Sequence, residues 1–160
     1  MKRIIFLTAS GLALMVANIT LAENAVVPYP EGYRSWSHTK SMLIQPGHAL
    51  ENPFQGIHHI YANPKALKGL KSGAYADGAV LVFDLLNYNE KDLTIQEGER
   101  KLTGVMHKDA TKYAATGGWG FEGFSGNSTT ERLVKDGGKS CFDCHTSEKN
   151  KDYVFSQIRP

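Results

Sequence analysis

The sequence predicts an α+β fold, mostly antiparallel β-sheet with a few short helices, and three observations carry that reading. Ala79 to Leu86 is the most apolar and most β-branched run outside the N-terminus, which suits a central strand. Phe54, Gly56, His58, Ile60 and Ala62 alternate with Gln55, Ile57, His59 and Tyr61, which is the period of a strand. Helix signals are few and short. The clearest is Asn63–Pro64, with Asn as cap and Pro at the first helical position. No internal repeat is present, and residues 23 to 160 suit one domain with one core.

Taken in order, residues 1–22 read as a secretory signal peptide. Met1–Lys2–Arg3 is a basic start, and Ile4 to Val16 is apolar apart from Thr8, Ser10 and Gly11. Thr20–Leu21–Ala22 supplies small residues before a cut ahead of Glu23. The alternative, an uncleaved anchor, is opposed by Asn18 and Thr20, which break the apolar run. The mature protein is therefore expected in the periplasm, with no membrane segment. Glu23 to Pro30 reads as an extended lead-in and Gly32 to Ile44 as a short amphipathic helix carrying Tyr33, Trp36, Met42 and Leu43. Gln45 to Pro53 is a loop, Phe54 to Ala62 a strand, and the helix begun at Asn63–Pro64 runs to about Leu70 before Gly73. Gly78 to Tyr88 is the central strand and Asn89 to Lys101 a charged hairpin loop. Lys101 to His107 and Gly118 to Ser125 are further strands, separated by a short helical or turn segment from Asp109 to Ala115. Glu131 to Lys135 reads as one helical turn, with Ser128 as a start signal, and Tyr153 to Ile158 as a last strand.

Charge excludes one class of function. The chain has 18 basic and 16 acidic residues, and loss of Lys2 and Arg3 with the signal leaves the mature form formally neutral. With no basic run interleaved with aromatics, nucleic acid is not an expected partner.

The chemistry is concentrated in Cys141–Phe142–Asp143–Cys144–His145. Cys-x-x-Cys-His is the attachment signature of a c-type haem. Two thiols three positions apart can each form a thioether with one vinyl group, and the adjacent imidazole then becomes the proximal iron ligand. A redox dithiol would want a strand before the motif and a helix starting at it, whereas Lys135–Asp136–Gly137–Gly138–Lys139 precedes it. A structural zinc site would want more ligands than the chain's two cysteines provide at ligand spacing. The motif therefore predicts one covalently bound haem c per chain, packed against the sheet. Haem attachment follows export, so motif and signal support each other.

With these residues in place, the chain resembles the cytochrome P-460 superfamily, and more closely its cytochrome c-prime-beta branch. The resemblance runs through Tyr33–Arg34–Ser35–Trp36, Asn52–Pro53–Phe54, Ile60–Tyr61, Asn63–Pro64 and Asp77–Gly78–Ala79–Val80–Leu81–Val82. It continues at Lys108–Asp109 and Trp119 and ends on the haem motif and Asp152–Tyr153–Val154–Phe155–Ser156. It implies a haem c on an antiparallel sheet, His145 as proximal ligand, and a homodimer. The hydroxylamine-oxidising branch carries a cross-linking lysine where this chain has Phe83, and a distal carboxylate on the later strand. Leu102 to His107 contains no acid, so a dehydrogenation that must shed protons lacks its base. Phe54 and Phe83 correspond to the two phenylalanines that cap the distal haem face in the c-prime-beta branch. Two such rings exclude water and anions and offer bound dioxygen no hydrogen bond, whereas nitric oxide needs none. The expected function is binding of nitric oxide, or another diatomic ligand, for sequestration or detoxification. Core packing is the bland alternative for both rings.

Two further residues belong to this reading. Met106 lies within about two positions of the missing carboxylate and could be a sixth ligand, which would make a His/Met electron carrier with an unidentified redox partner. Its alternative role is filling a gap in the core, and Met42 is a weaker candidate with helix packing as its expected role. His58 shares a strand face with Phe54 and is a candidate for holding a propionate or tuning the pocket, while His59 points the other way. His38, His48 and His107 are read as surface residues.

Overall fold

The computed structural model describes residues 26–158; the expected signal peptide lies outside them. Five strands, β1 (Ser37–Ile44), β2 (Gly56–Ala62), β3 (Val80–Lys91), β4 (Thr94–Lys108) and β5 (Trp119–Ser125), form one antiparallel sheet in the order β1-β2-β3-β4-β5. Every neighbour in the sheet is also a neighbour in sequence, so short connections suffice. Three short helices, α1 (Glu51–Phe54), α2 (Pro64–Ser72) and α3 (Lys139–His145), complete the α+β fold.

The register sorts the side chains onto two faces. Ile60, Phe83, Gly104 and Gly123 align across four strands. Leu81, Met106 and Phe121 align in the next row of the same face, and His58 opposes Leu85. This inner face carries the larger core, in which Ile60, Ala62, Leu81, Trp119, Phe121 and Val154 are buried. Helix α2 closes one end of it. Asn63 Oδ1 accepts from Ala66 N at 2.8 Å and from Val80 N at 3.1 Å, while its Nδ2 donates to Gly78 O at 2.9 Å. One side chain therefore caps the helix and ties it to β3. Gly69 lets α2 lie against Tyr75, since a Cβ there would stand 2.2 Å from the ring.

The outer face is covered by the lead-in. Val27, Val105, Tyr113 and Phe124 form the second core, with Tyr29 edge-on to Phe124 at 5.0 Å. Beside it Asp84 is buried and held by Arg100 Nε at 2.6 Å and Arg34 at 3.3 Å. Burial pushes the Asp84 carboxyl up despite these cations.

Several expected elements differ from those observed. Gly32 to Ile44 is one 3-10 turn (Tyr33–Ser35) followed by β1, because pairing with β2 overrides a weak helical pattern. Met42 therefore lies on a strand, opposite His58. Phe54 ends α1, and the strand begins only at Gly56, whose φ of 142° and close approach to Leu86 O admit no side chain. The charged loop is instead an extended hairpin: β3 and β4 run to a two-residue turn at Asp92–Leu93, both at positive φ. Ser128 Oγ does accept from Thr130 N and Glu131 N, but no helix follows, and Arg132 instead bridges to Phe124. Tyr153 to Ile158 forms no strand, since Tyr153 N and Val154 N donate back to Glu148 O and Lys151 O.

Asp84→Ala is expected to cost about 3–5 kcal/mol, because it strands the buried Arg100 guanidinium without its partner. Urea unfolding checks this as a lower midpoint at unchanged slope. A loss below about 1 kcal/mol would mean that solvent screens the pair.

Candidate functional site

The motif lies on α3, which the chain enters through Gly137 and Gly138, both at positive φ. The Asp136 carboxylate accepts from Gly138 N at 3.0 Å and Ser140 N at 2.8 Å, satisfying donors that the first turn leaves free. A helix does begin at the motif, as a redox dithiol would require, but no strand leads into it. Burial pushes the Cys141 thiol up, opposite to the shift that activates a redox thiol. Both cysteines are free.

Cys141 and His145, four residues apart, share one face of α3. Cys141 and Phe142 pack against the inner-face core, and the His145 ring lies between Phe121 at 5.0 Å and Phe155 at 4.9 Å. His145 Nδ1 is 2.6 Å from the Tyr153 carbonyl, which fixes the proton on Nδ1 and leaves Nε2 as the lone-pair nitrogen. Burial also pushes the imidazole below its usual range, toward the neutral form that can bind a metal. A neutral, oriented imidazole beside two free thiols fits the demands of a haem.

The predicted distal residues meet elsewhere on the same face. Phe54 and Phe83 are edge to face at 5.7 Å, and the His58 ring lies 4.4 Å from Phe83. The strand alternation expected to align Phe54 with His58 is absent, yet the α1 turn brings the two around the same ring. Phe83 and Phe121 are two strands and two residues apart, roughly 12 Å by ordinary strand spacing. Between them stand Gly104 and Gly123, directly opposed; Leu133 packs over Gly123, whereas Gly104 is half-buried beside Phe83. A Cβ at Gly104 would stand 3.3 Å from that of Phe83. The row from Phe54 through Phe83, Gly104 and Leu102 is only half-buried, unlike the core beside it. These residues therefore keep apolar surface on the side of the sheet where the motif packs.

Met106 is half-buried, paired with Phe121 on the ladder and packed with the core that includes Cys141 and Phe142. It thus stands between the two groups: Phe121 is its partner on β5, and Gly104, two residues before it on β4, is the partner of Phe83. His58 is buried with Nδ1 lacking a partner, and burial, with Lys40 and His59 nearby, pushes its imidazole down to about 4. His59 points to the outer face, toward Ser41 at 2.7 Å and Glu97 at 2.7 Å. Of the three histidines read as surface residues only His48 is exposed; His38 is half-buried beside His59 and Tyr61 and hydrogen-bonds Ser41, and His107 is half-buried against Tyr113. Among the described residues no cluster of His, Cys, Asp or Glu forms a separate metal site, and no helix is long and apolar enough to cross a membrane.

The features that motif reading missed are the Tyr153 carbonyl, the Phe121 and Phe155 rings, and the Gly104–Gly123 pair. Only the aromatic content of the last segment hinted at them.

The low His58 value has a thermodynamic consequence. The unfolded imidazole protonates near 6.5 and the folded one only near 4, so the unfolded state binds more protons between these limits. Stability should be full above pH 6.5 and fall by on the order of 3 kcal/mol as pH drops to about 4. His58→Phe should shallow that slope in urea titrations across the window. His107, which burial also lowers, adds to the slope left over, and Asp84, whose carboxyl burial raises, opposes it.

No curated protein matches the chain closely enough to serve as a relative. The family model for cytochrome P460 matches residues 30–156, which span the sheet, both Phe rings and the whole of α3. With that match added to the motif and the face it packs on, the chain belongs to the cytochrome P460 family of haem proteins.

Proposed function

We propose that the protein is a periplasmic monohaem cytochrome of the c-prime-beta kind that binds nitric oxide for sequestration or detoxification. In this reading Cys141 and Cys144 carry the haem c thioethers and His145 is the proximal ligand. Phe54 and Phe83 cap the distal side, with His58 behind Phe83. The observation that carries it is the division of one sheet face: an oriented imidazole at one flank, and a phenylalanine pair backed by a neutral histidine at the other.

Haem iron, when bound, supplies the diatomic ligand's coordination. The chain does the rest. The Tyr153 carbonyl holds the proximal imidazole in one tautomer. The Phe54–Phe83 pair excludes water and anions and gives bound dioxygen no donor, which leaves nitric oxide favoured. Hydroxylamine oxidation finds little support. Phe83 stands where a cross-linking lysine would be needed, and the inner face of β4 from Leu102 to Met106 carries Leu102, Gly104 and Met106 with no carboxylate to take a proton. The competing electron-carrier reading needs Met106 opposite His145; Met106 has Phe121, the ring against which His145 packs, as its ladder partner, and lies one strand and two residues from Phe83. The resemblance adds a homodimer to this reading, and an unidentified redox partner belongs to the electron-carrier alternative.

Covalent attachment is checked by the pyridine haemochrome spectrum. One haem per chain should survive acid–acetone extraction, and Cys141→Ala with Cys144→Ala should release it. Phe83→Ala should tighten carbon monoxide binding to the ferrous protein at least tenfold, about 1.4 kcal/mol, by removing the steric cap. An unchanged affinity would make Phe83 an ordinary core residue.

A further inference from the structure

The Tyr153 carbonyl that holds His145 is in an unusual backbone. Asp152 and Tyr153 are consecutive non-glycine residues at φ of 52° and 64°, in the left-handed region. Each such residue is strained and persists only where its surroundings over-determine it.

The surroundings are specific. Lys108 Nζ donates to Asp152 Oδ1 at 2.7 Å and Oδ2 at 2.9 Å, and to Gly117 O at 3.2 Å. Its ammonium lies 5.0 Å from the Trp119 ring centre. Trp119 Nε1 donates to the Asp152 backbone carbonyl at 2.9 Å. Asp152 is thus gripped by both its carboxylate and its carbonyl, and Tyr153 N is tied to Glu148 O at 2.9 Å. The Tyr153 ring packs on Phe142 at 5.0 Å, and a Cβ on Gly117 would strike it at 2.5 Å. Lys108 itself is buried, at 8% exposure. A buried lysine is rare unless paired, and this one is paired with Asp152.

We infer that Lys108 and Asp152 are positioning residues for the proximal histidine: their ion pair locks the left-handed turn that aims the Tyr153 carbonyl at His145 Nδ1. The inference deepens the proposed haem site and rests on His145 being the proximal ligand. A firm Nδ1–H···O=C bond moves electron density onto Nε2 and strengthens its bond to iron. Loosening the turn weakens that donation with no ligand replaced. With haem bound, the clamp would set how firmly Nε2 holds the iron, and with it the reduction potential and the ease with which that bond breaks when nitric oxide is taken up.

The test uses the full-length haem-loaded protein and the variants Lys108→Met and Asp152→Ala. Asp152→Asn is included because asparagine keeps the left-handed preference while losing the charge. Asp84→Asn, in the outer-face ion pair, is the control for simple loss of stability. In Lys108→Met and Asp152→Ala the iron–histidine stretch in resonance Raman should move to lower frequency and the midpoint potential should rise. The ratio of five- to six-coordinate ferrous nitrosyl should increase at least threefold. Asp152→Asn should shift the same way by less, and Asp84→Asn should lower the melting temperature with no spectral change. If the first two variants fail to load haem, Asp152→Asn decides. Variants that lose stability but keep the wild-type stretch and nitrosyl ratio overturn the clamp and leave the haem assignment standing. A wild-type chain without covalent haem overturns both.

Discussion

The hydrogen bond between His145 Nδ1 and the Tyr153 carbonyl links the parts of this molecule that matter for function. It joins the end of α3 to the last segment of the chain, selects the imidazole tautomer and leaves Nε2 with the free lone pair. Its acceptor is held by residues from the end of β4, the start of β5 and the 3-10 turn after the motif. The sheet is the frame in which these distant segments are brought to one place. An imidazole on a free loop would lose rotational freedom on each ligation, whereas here that cost is met when the chain folds.

The other flank works by what it lacks. Gly104 leaves the inner face of β4 without a side chain, and any larger residue there would press on Phe83. Phe54, Phe83 and neutral His58 then present rings and no charge. The same burial that keeps His58 neutral makes the site a liability in acid, since protonating the ring there costs free energy that water would otherwise supply. Polar chemistry is kept on the opposite face, where Asp84 meets Arg34 and Arg100 behind a full layer of backbone.

Much of this was legible in the sequence, for identifiable reasons. The central strand stood out because its β-branched run is buried on both faces, and α2 because Asn63 and Pro64 are chemically specific start signals. The haem motif carries its meaning in five adjacent residues. The extended hairpin was hidden because its strands are exposed on both sides and carry no burial pattern, and its Asp92–Leu93 turn lacks the glycine that marks such turns. Strand β1 was mistaken for a helix because eight residues with scattered apolar positions fit either period, and only the partner strand decides. The Tyr153 turn was invisible for a deeper reason. Its left-handed residues are an aspartate and a tyrosine, and the contacts that force them come from Lys108 and Trp119, more than thirty positions away. Phe54, His58 and Phe83 could be named from the sequence, but not that a helical turn rather than a strand would bring Phe54 to them.

The measurement that tests the central claim most directly is the optical spectrum of the purified reduced protein, alone and after nitric oxide or dioxygen. The division of the sheet face into an imidazole flank and an apolar flank predicts a five-coordinate, high-spin ferrous haem that takes up nitric oxide and ignores dioxygen. Met106→Ala should leave that spectrum unchanged. A low-spin ferrous spectrum that nitric oxide barely perturbs, and that turns high-spin in Met106→Ala, would contradict the account and make the protein a His/Met electron carrier.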